Sequence, residues 1–268
     1  IEHEYDYNNS IYKNKCFFTF NKEEIDKGKS FLRKLNLQDN EKYVCLCIRD
    51  SSYLKKFFPN KDYTYHDYRD HNIENFYLAA NKLTELGYKV LRMGKTAEKK
   101  FDNGNKMIID YASLDVNDDF YDFYLFANCE FVISTATGLD ALGILFRKPL
   151  LTSSYFPFFE THSNKILNIN RHHFSKKLNR NLKLSEMADF FKNKNLNIGL
   201  AENFLNQEIV FKDNTPEEWR DAALELIDRI NNSPIKNDAE IQKKFWDMVK
   251  KTCEKIDLKE INQPYDYF

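Results

Sequence analysis

The chain has 268 residues, enough for one large α/β domain or two small ones. Its 40 lysines and arginines nearly balance its 41 acidic residues, so a formal net charge of −1 provides no global positive field to attract nucleic acid or an anionic membrane. No run approaches the ~20 apolar residues of a membrane span, and the five cysteines, which form no Cys-x-x-Cys pair, indicate buried free thiols in a reducing compartment. We therefore expect a cytoplasmic protein with no nucleic-acid partner.

The first predicted elements alternate between helix and strand. Residues 1–20 show no period and are expected to form an N-terminal arm or linker, after which Asn21 is expected to cap a helix with acidic residues in its first turn. The apolar run at 43–48 is typical of a strand covered on both faces. A helix at 72–86 and a strand at 88–93 are predicted next.

The alternation continues as far as residue 152 and predicts an α/β fold. Further strands are expected at 107–109, 130–134, 150–152 and 208–211, further helices at 119–127, 138–146, 215–230 and 238–256, and a basic surface loop at 171–180. This order predicts a Rossmann-like, doubly wound parallel sheet flanked by helices over residues 21–232, with a C-terminal helical extension over 233–268. Because the carboxyl ends of parallel strands meet at one edge, the loops that follow the strands are the expected place for a site.

The segment 131–138 (Phe-Val-Ile-Ser-Thr-Ala-Thr-Gly) ends a predicted strand in a turn of small and hydroxyl-bearing residues. Such a turn allows a phosphate to approach the N–H groups of a helix N-terminus. We expect a pyrophosphate cradle, with Asp140 accepting from a ribose or sugar hydroxyl, although an ordinary capped turn is the structural alternative. The candidate cradle residues are Ser134, Thr135, Thr137 and Gly138.

Charged residues follow the first two predicted strands. Arg49 and Asp50 come directly after the first one, where an arginine can bind phosphate through two hydrogen bonds; the alternative is an ion pair that closes the sheet edge. Arg92 ends the second strand at the same edge and is a candidate phosphate ligand, while Gly94 permits a tight turn. Ser51 and Tyr53 are further binding candidates.

The polar segment 65–72 (Tyr-His-Asp-Tyr-Arg-Asp-His-Asn) lies just before a predicted helix. Arg69 and Asp70 are candidates to act on a sugar substrate, although Asp70 is equally suited to cap the helix. A catalytic base would come from this segment too. The candidate bases are His66, Asp67 and His71.

A set of spaced segments runs through most of the chain. They are Phe20-Asn-Lys-Glu-Glu24, Gly28-Lys-Ser-Phe-Leu32, Val44-Cys-Leu-Cys-Ile-Arg-Asp-Ser51, Tyr68-Arg-Asp70, Leu86-Gly-Tyr-Lys-Val-Leu-Arg-Met-Gly94, Ser134-Thr-Ala-Thr-Gly138, Phe146-Arg-Lys-Pro149 and Asp213-Asn-Thr-Pro-Glu-Glu218. In this order they resemble a group of bacterial glycosyltransferases encoded with surface-polysaccharide genes. The order of several segments is more specific than any one of them.

The resemblance implies a GT-B-like C-terminal domain that binds a nucleotide-diphosphate sugar and passes the sugar to a surface glycan or a lipid-linked acceptor. It implies no cofactor and no metal ion, because GT-B enzymes hold the diphosphate with amides and basic side chains; here Arg49, Arg92 and the amides of Thr137 and Gly138 would do so. A missing N-terminal domain is expected to supply acceptor contacts, and any membrane association is expected to be peripheral, at the inner face. Cys47 departs from the small or polar residue, such as His, expected at its position.

Two other functions are compatible with these residues. A sugar-nucleotide epimerase of GT-B-like shape would isomerise the donor without an acceptor. An interaction module without catalysis would bind a partner protein through the aromatic segment 155–159. For the transferase, the predicted catalytic residues are Arg49, Asp50, Arg69 and Asp70.

Overall fold

The main feature of the fold is a six-stranded sheet in which every strand is parallel to its neighbours. The computed structural model describes residues 10–114, 116, 118–154, 166–187, 208–232 and 239–253. The spatial order is β3-β2-β1-β4-β5-β6, the strand order of a Rossmann-type doubly wound sheet, so the predicted fold class is confirmed. The strands are β1 (Tyr43–Cys47), β2 (Lys89–Met93), β3 (Ile108–Ile109), β4 (Val132–Ser134), β5 (Leu150–Ser154) and β6 (Ile166–Asn170).

Helices cover both faces of this sheet. Successive side chains of a strand point to opposite faces, and β1 divides its residues accordingly between two buried apolar clusters. Val44 and Leu46 belong to the cluster that includes residues of α4 and α7, whereas Cys45 and Cys47 belong to the cluster that includes residues of α2 and α5. The helices are α1 (Ser10–Lys13), α2 (Lys22–Lys34), α3 (Ser52–Phe57), α4 (Tyr77–Glu85), α5 (Asp119–Asn128), α6 (Asp140–Leu145), α7 (Pro216–Ile230) and α8 (Ala239–Cys253).

Local sequence signals locate several helix ends well and others less well. Asn21 and Thr215 each form the predicted cap, and both are part of a capping box with a glutamate three residues later. The helix predicted at 72–86 starts instead as a 3₁₀ turn, Ile73–Phe76, and becomes α-helical at Tyr77. The helix predicted at 138–146 starts only at Asp140, after a turn in which the Asp140 N–H donates to the Thr137 carbonyl, and it ends at Leu145.

A second, antiparallel sheet corrects the prediction for residues 171–180. Its strands are β7 (His172–Ser175), β8 (Arg180–Asn181) and β9 (Ile209–Lys212), in the order β8-β7-β9. The predicted basic surface loop is confirmed only for the exposed turn 176–179; at 171–175 the prediction is wrong, since Arg171 and His173 are only 5% and 2% exposed. The polar residues of this segment find partners in distant parts of the chain, which no local pattern signals. Strand β6 also lies in a region where the sequence pattern predicts no strand.

The described part of the N-terminal arm lies against the body of the domain. The Nε of Arg147 donates to the carbonyls of Ile11, at 2.9 Å, and Asn14, at 3.2 Å. Phe20 packs its ring against Phe120, Tyr124 and Phe146. The contacts fix residues 11–20 along the side of the sheet that carries α5 and α6.

A close approach of α2 to α5 generates a stability prediction. A Cβ atom at Gly28 would lie 2.3 Å from Cε2 of the buried Tyr124 ring. We expect Gly28→Ala to lower the free energy of unfolding by about 1–3 kcal/mol, because overpacking outweighs the gain of about 1 kcal/mol in helix propensity. Gly138→Ala is the matched control, since a Cβ there has no neighbour within 4 Å. Urea unfolding of both variants checks this; equal stabilities would contradict it.

Candidate functional site

The loops after β1 and β4 meet where the sheet reverses its strand order. The chain passes from β1 outward to β2 and β3 and then returns to β4 on the other side of β1. Two hydrogen bonds join the loops there: the Arg49 N–H donates to Thr135 Oγ1 at 2.8 Å, and the Thr135 N–H donates to the Cys47 carbonyl at 3.0 Å. A crevice at such a switch point is the usual place for a ligand in open α/β sheets.

Two arginines lie next to each other at this switch point. Arg69 donates from Nη2 to the carbonyl of Ala136 at 2.8 Å, which brings it over the turn after β4. Burial, and then the positive charge of Arg69, lower the pKa of Arg49 from its usual value. The Nη2 atom of Arg49 is buried and has no hydrogen-bond partner among the described residues. Two adjacent guanidinium groups, with Arg49 Nη2 still able to donate, form a natural binding site for an anion.

Asp70 is the carboxylate of this group. Its Oδ1 lies 3.1 Å from Arg49 Nε, and the two side chains are 23% and 14% exposed. Burial raises the pKa of Asp70 to about 6, against the lowering effect of Arg49, and the charges of Asp67 and Asp50 raise it further. A carboxylate that changes its charge near neutral pH beside a binding crevice is suited to general acid–base chemistry.

A buried ion pair holds the segment that carries Arg69 and Asp70. Arg171, with a side chain 4% exposed, donates to the carbonyl of Tyr68 and pairs with Asp213. Oδ2 of Asp213 in turn accepts from the Asn72 N–H at 2.7 Å. The roles of Arg171 and Asp213 have no signal in the sequence beyond the Asp213-Asn-Thr-Pro segment of the family resemblance.

His71 holds the same segment from the inside. Its backbone N–H donates to the Arg49 carbonyl at 3.1 Å, and its ring Nδ1 lies 2.8 Å from the Arg69 carbonyl. Burial, followed by the charge of Arg171, lowers the pKa of His71 to about 4. The imidazole is therefore neutral at physiological pH, and its packing against Trp219 places it in the core. The side chain of His66 lies outside the described residues.

Arg92 and Asp50 are placed differently from the prediction. The Arg92 side chain is 1% exposed and forms ion pairs with Asp50, at 3.2 Å, and Asp110, at 3.4 Å. Asp50 also accepts from the N–H groups of Ser52 and Glu98, at 3.0 and 3.1 Å. Arg92 is thus enclosed by protein carboxylates where a phosphate ligand was expected, and Asp50 anchors the loop after β1.

The turn after β4 also differs from the predicted cradle. Its hydroxyls are used within the protein, since the Asp140 carboxylate accepts from Ser134 Oγ and from Thr137 Oγ1. Burial raises the pKa of Asp140 to about 6, although these hydrogen bonds oppose the shift. Ser134 and Thr135 are 0% and 1% exposed. The side chains of this turn therefore bond to one another within the protein, as in the structural alternative, while Thr137 is half-buried and Gly138 is exposed.

The remaining candidate site residues lie in different local environments. Ser51 is buried and donates to Glu98 Oε1 at 3.0 Å, whereas Tyr53 is 45% exposed on α3. Gly94 has a φ of +142°, so the backbone itself requires glycine there. The aromatic segment 155–159 lies outside the described residues. Within those residues no cluster of three or more His, Cys, Asp and Glu side chains is arranged to hold a metal ion, and the absence of a metal stays a prediction.

No protein-family model and no curated protein matches this sequence. Two similar solved structures are both glycosyltransferases. The E. coli ADP-heptose lps heptosyltransferase II has 18% identity and a TM-score of 0.38, covering 57% of this chain and 44% of that one. The glycosyl transferase family 9 protein from Veillonella parvula DSM 2008 has 14% identity and a TM-score of 0.44, covering 78% and 53%. This chain spans about half the length of each, and a likeness at this level concerns the fold alone.

The Arg171–Asp213 pair generates a second stability prediction. We expect Arg171→Met to cost about 3 kcal/mol, because it leaves Asp213, whose side chain is only 21% exposed, without its partner and the Tyr68 carbonyl without its donor. Arg180→Met is the matched control, because it removes an ion pair in which the Arg180 and Glu186 side chains are 44% and 35% exposed. The free energy of unfolding should barely change in this variant. Denaturant unfolding measures both. An Arg171→Met variant as stable as the parent would refute the role of this pair.

Proposed function

We propose that the chain is the donor-binding half of a glycosyltransferase and that Arg49 and Arg69 bind the diphosphate of a nucleotide sugar. The observation that carries the proposal is the pair of neighbouring guanidinium groups at the β1–β4 switch point, with Arg49 Nη2 lacking a partner in the described part of the chain. A diphosphate has the charge and the acceptor oxygens to satisfy both groups. The family resemblance of residues 20–230 supports the same substrate class.

The proposed chemistry follows from the charges at the site. When the bond between the sugar C1 and the diphosphate oxygen breaks, negative charge develops on the leaving group, and Arg49 and Arg69 stabilise it. An acceptor hydroxyl forms the new bond to C1, and Asp70 takes its proton. The acceptor would be a growing surface glycan or its lipid-linked form, and an upstream domain would hold it across the crevice. In this proposal the guanidinium groups balance the diphosphate charge without a metal ion.

The first test is donor binding. Calorimetric titration with UDP, GDP, CDP and ADP sugars should find one that binds, and Arg49→Met or Arg69→Met should weaken it about 10- to 100-fold, as expected for a lost charge-assisted hydrogen bond. Arg180→Met, which removes an exposed ion pair on β8, is the control and should bind like the parent. No binding by any donor would sink the proposal. Isomerisation of the bound donor without an acceptor would favour the epimerase.

The second test uses the pKa of Asp70. Below a pKa of about 6 this carboxyl is neutral and no longer pairs with Arg49, which then becomes fully available to the diphosphate. Donor affinity should therefore rise by up to about tenfold between about pH 7.5 and 5.5, while transfer, measured with the acceptor-binding domain present, should slow because it needs the ionised base. Asp70→Asn should remove the pH dependence of binding and abolish most transfer. Parallel pH profiles for the parent and Asp70→Asn would contradict the assignment.

A further inference from the structure

A cluster of exposed aromatic side chains lies on α3 and the residue after it. Tyr53, Phe57 and Phe58 are 45%, 46% and 39% exposed. The ring centroid of Tyr53 is 4.7 Å from that of Phe57 and 6.4 Å from that of Phe58. Soluble proteins rarely leave contiguous large apolar side chains in water unless they contact something. We call this group, together with Lys56 and Lys61, the α3 patch.

The charges of the α3 patch are all positive. Lys56 Nζ lies 5.6 Å from the centroid of the Phe57 ring, and Lys61 Nζ lies 5.9 Å from that of Phe58. Residues 52–61 include three lysines and no acidic residue, and the exposed Asp62 that follows them accepts from the N–H and hydroxyl of Thr64. The third lysine, Lys55, is paired with Glu98 at 2.8 Å. Aromatic rings flanked by lysines that form no ion pair with a described residue are typical of surfaces that lie in the headgroup region of a membrane.

The composition favours a lipid surface over a protein partner. The core of a protein–protein interface is depleted in lysine, whereas here ammonium groups lie against the rings themselves. A bilayer with anionic headgroups offers a continuous negative surface to the lysines and an apolar layer to the rings, so both kinds of side chain are satisfied together.

The α3 patch is also firmly joined to the crevice. Ser51 Oγ and Lys55 Nζ both bond to Oε1 of Glu98, at 3.0 and 2.8 Å, and the Glu98 N–H donates to Asp50. The hydrogen bond to Glu98, and more weakly the charges of Asp67 and Asp70, raise the pKa of Lys55. A surface bound by the α3 patch would therefore lie beside the residues of the candidate site.

We propose that the α3 patch binds the surface of a bilayer that contains anionic phospholipid. The rings enter the headgroup region and the lysines pair with lipid phosphates. The proposal stands without the proposed function, but if both hold, the crevice opens at the membrane and favours a lipid-linked acceptor. The small net charge of the chain does not oppose it, because attraction to the membrane acts within about one Debye length, ~10 Å, of the patch.

Vesicle co-sedimentation of the full chain, without nucleotide sugar, tests the proposal. The parent should bind to vesicles with equal parts of phosphatidylglycerol and phosphatidylcholine. It should bind much less to vesicles of phosphatidylcholine alone, and binding to the anionic vesicles should weaken at high salt. Lys56→Gln with Lys61→Gln should lower the partition coefficient about 25-fold, or about fivefold for each lysine. Phe57→Ser with Phe58→Ser should lower it at least about tenfold.

Matched controls carry the same chemical changes elsewhere. Phe123→Ser removes a side chain that is 39% exposed on α5, and Lys243→Gln removes a charge on α8. Both should bind vesicles like the parent, and thermal unfolding should show that all variants are folded. The proposal is overturned if the parent does not bind anionic vesicles at low salt, or if the control substitutions weaken binding as much as the substitutions in the α3 patch. The donor titration, done without lipid, is unaffected by either result.

Discussion

The central position of β1 is the constraint on which the rest of the structure depends. Its five residues are buried on both faces and the strand pairs with β2 on one edge and β4 on the other; it ends at Cys47, and the chain leaves the core after the buried Ile48. The next residues emerge at the switch point between β1 and β4, beside Thr135. Arg49 therefore reaches the crevice as a consequence of sheet topology, and not of any local motif.

The second requirement is a fixed place for Arg69 and Asp70, which belong to a loop without α-helix or strand. Arg171 and Asp213, more than one hundred residues further along the chain, supply it by bonding to the backbone of residues 68–72. His71 completes the arrangement from the core. The small antiparallel sheet that begins after Arg171 thus supports the candidate site, although it lies outside the main sheet.

The two arginines at this edge of the sheet differ in how deeply they are buried. Arg92 is enclosed between Asp50 and Asp110, and its charge is balanced entirely by protein. Arg49 is less deeply buried, pairs with Asp70 and feels the charge of Asp67 more weakly, and is repelled by a second arginine. Because a buried charge is costly unless it is paired, the first arrangement stabilises the fold, whereas the second leaves capacity that a ligand anion can use.

The sequence by itself determined the fold class, because the apolar run at 43–48 and the alternation of strands and helices follow from local periodicity. Local signals also predict a site at the carboxyl-end edge of the sheet, and the structure brings three of the candidates, Arg49, Arg69 and Asp70, together there. Three features have no local signal and appear only in the folded chain: Arg92 faces two carboxylates, Asp140 accepts from the hydroxyls of Ser134 and Thr137, and Arg171 is buried. The physical reason is that a polar side chain acquires its role from its partners, and these partners come from distant segments that only folding brings together.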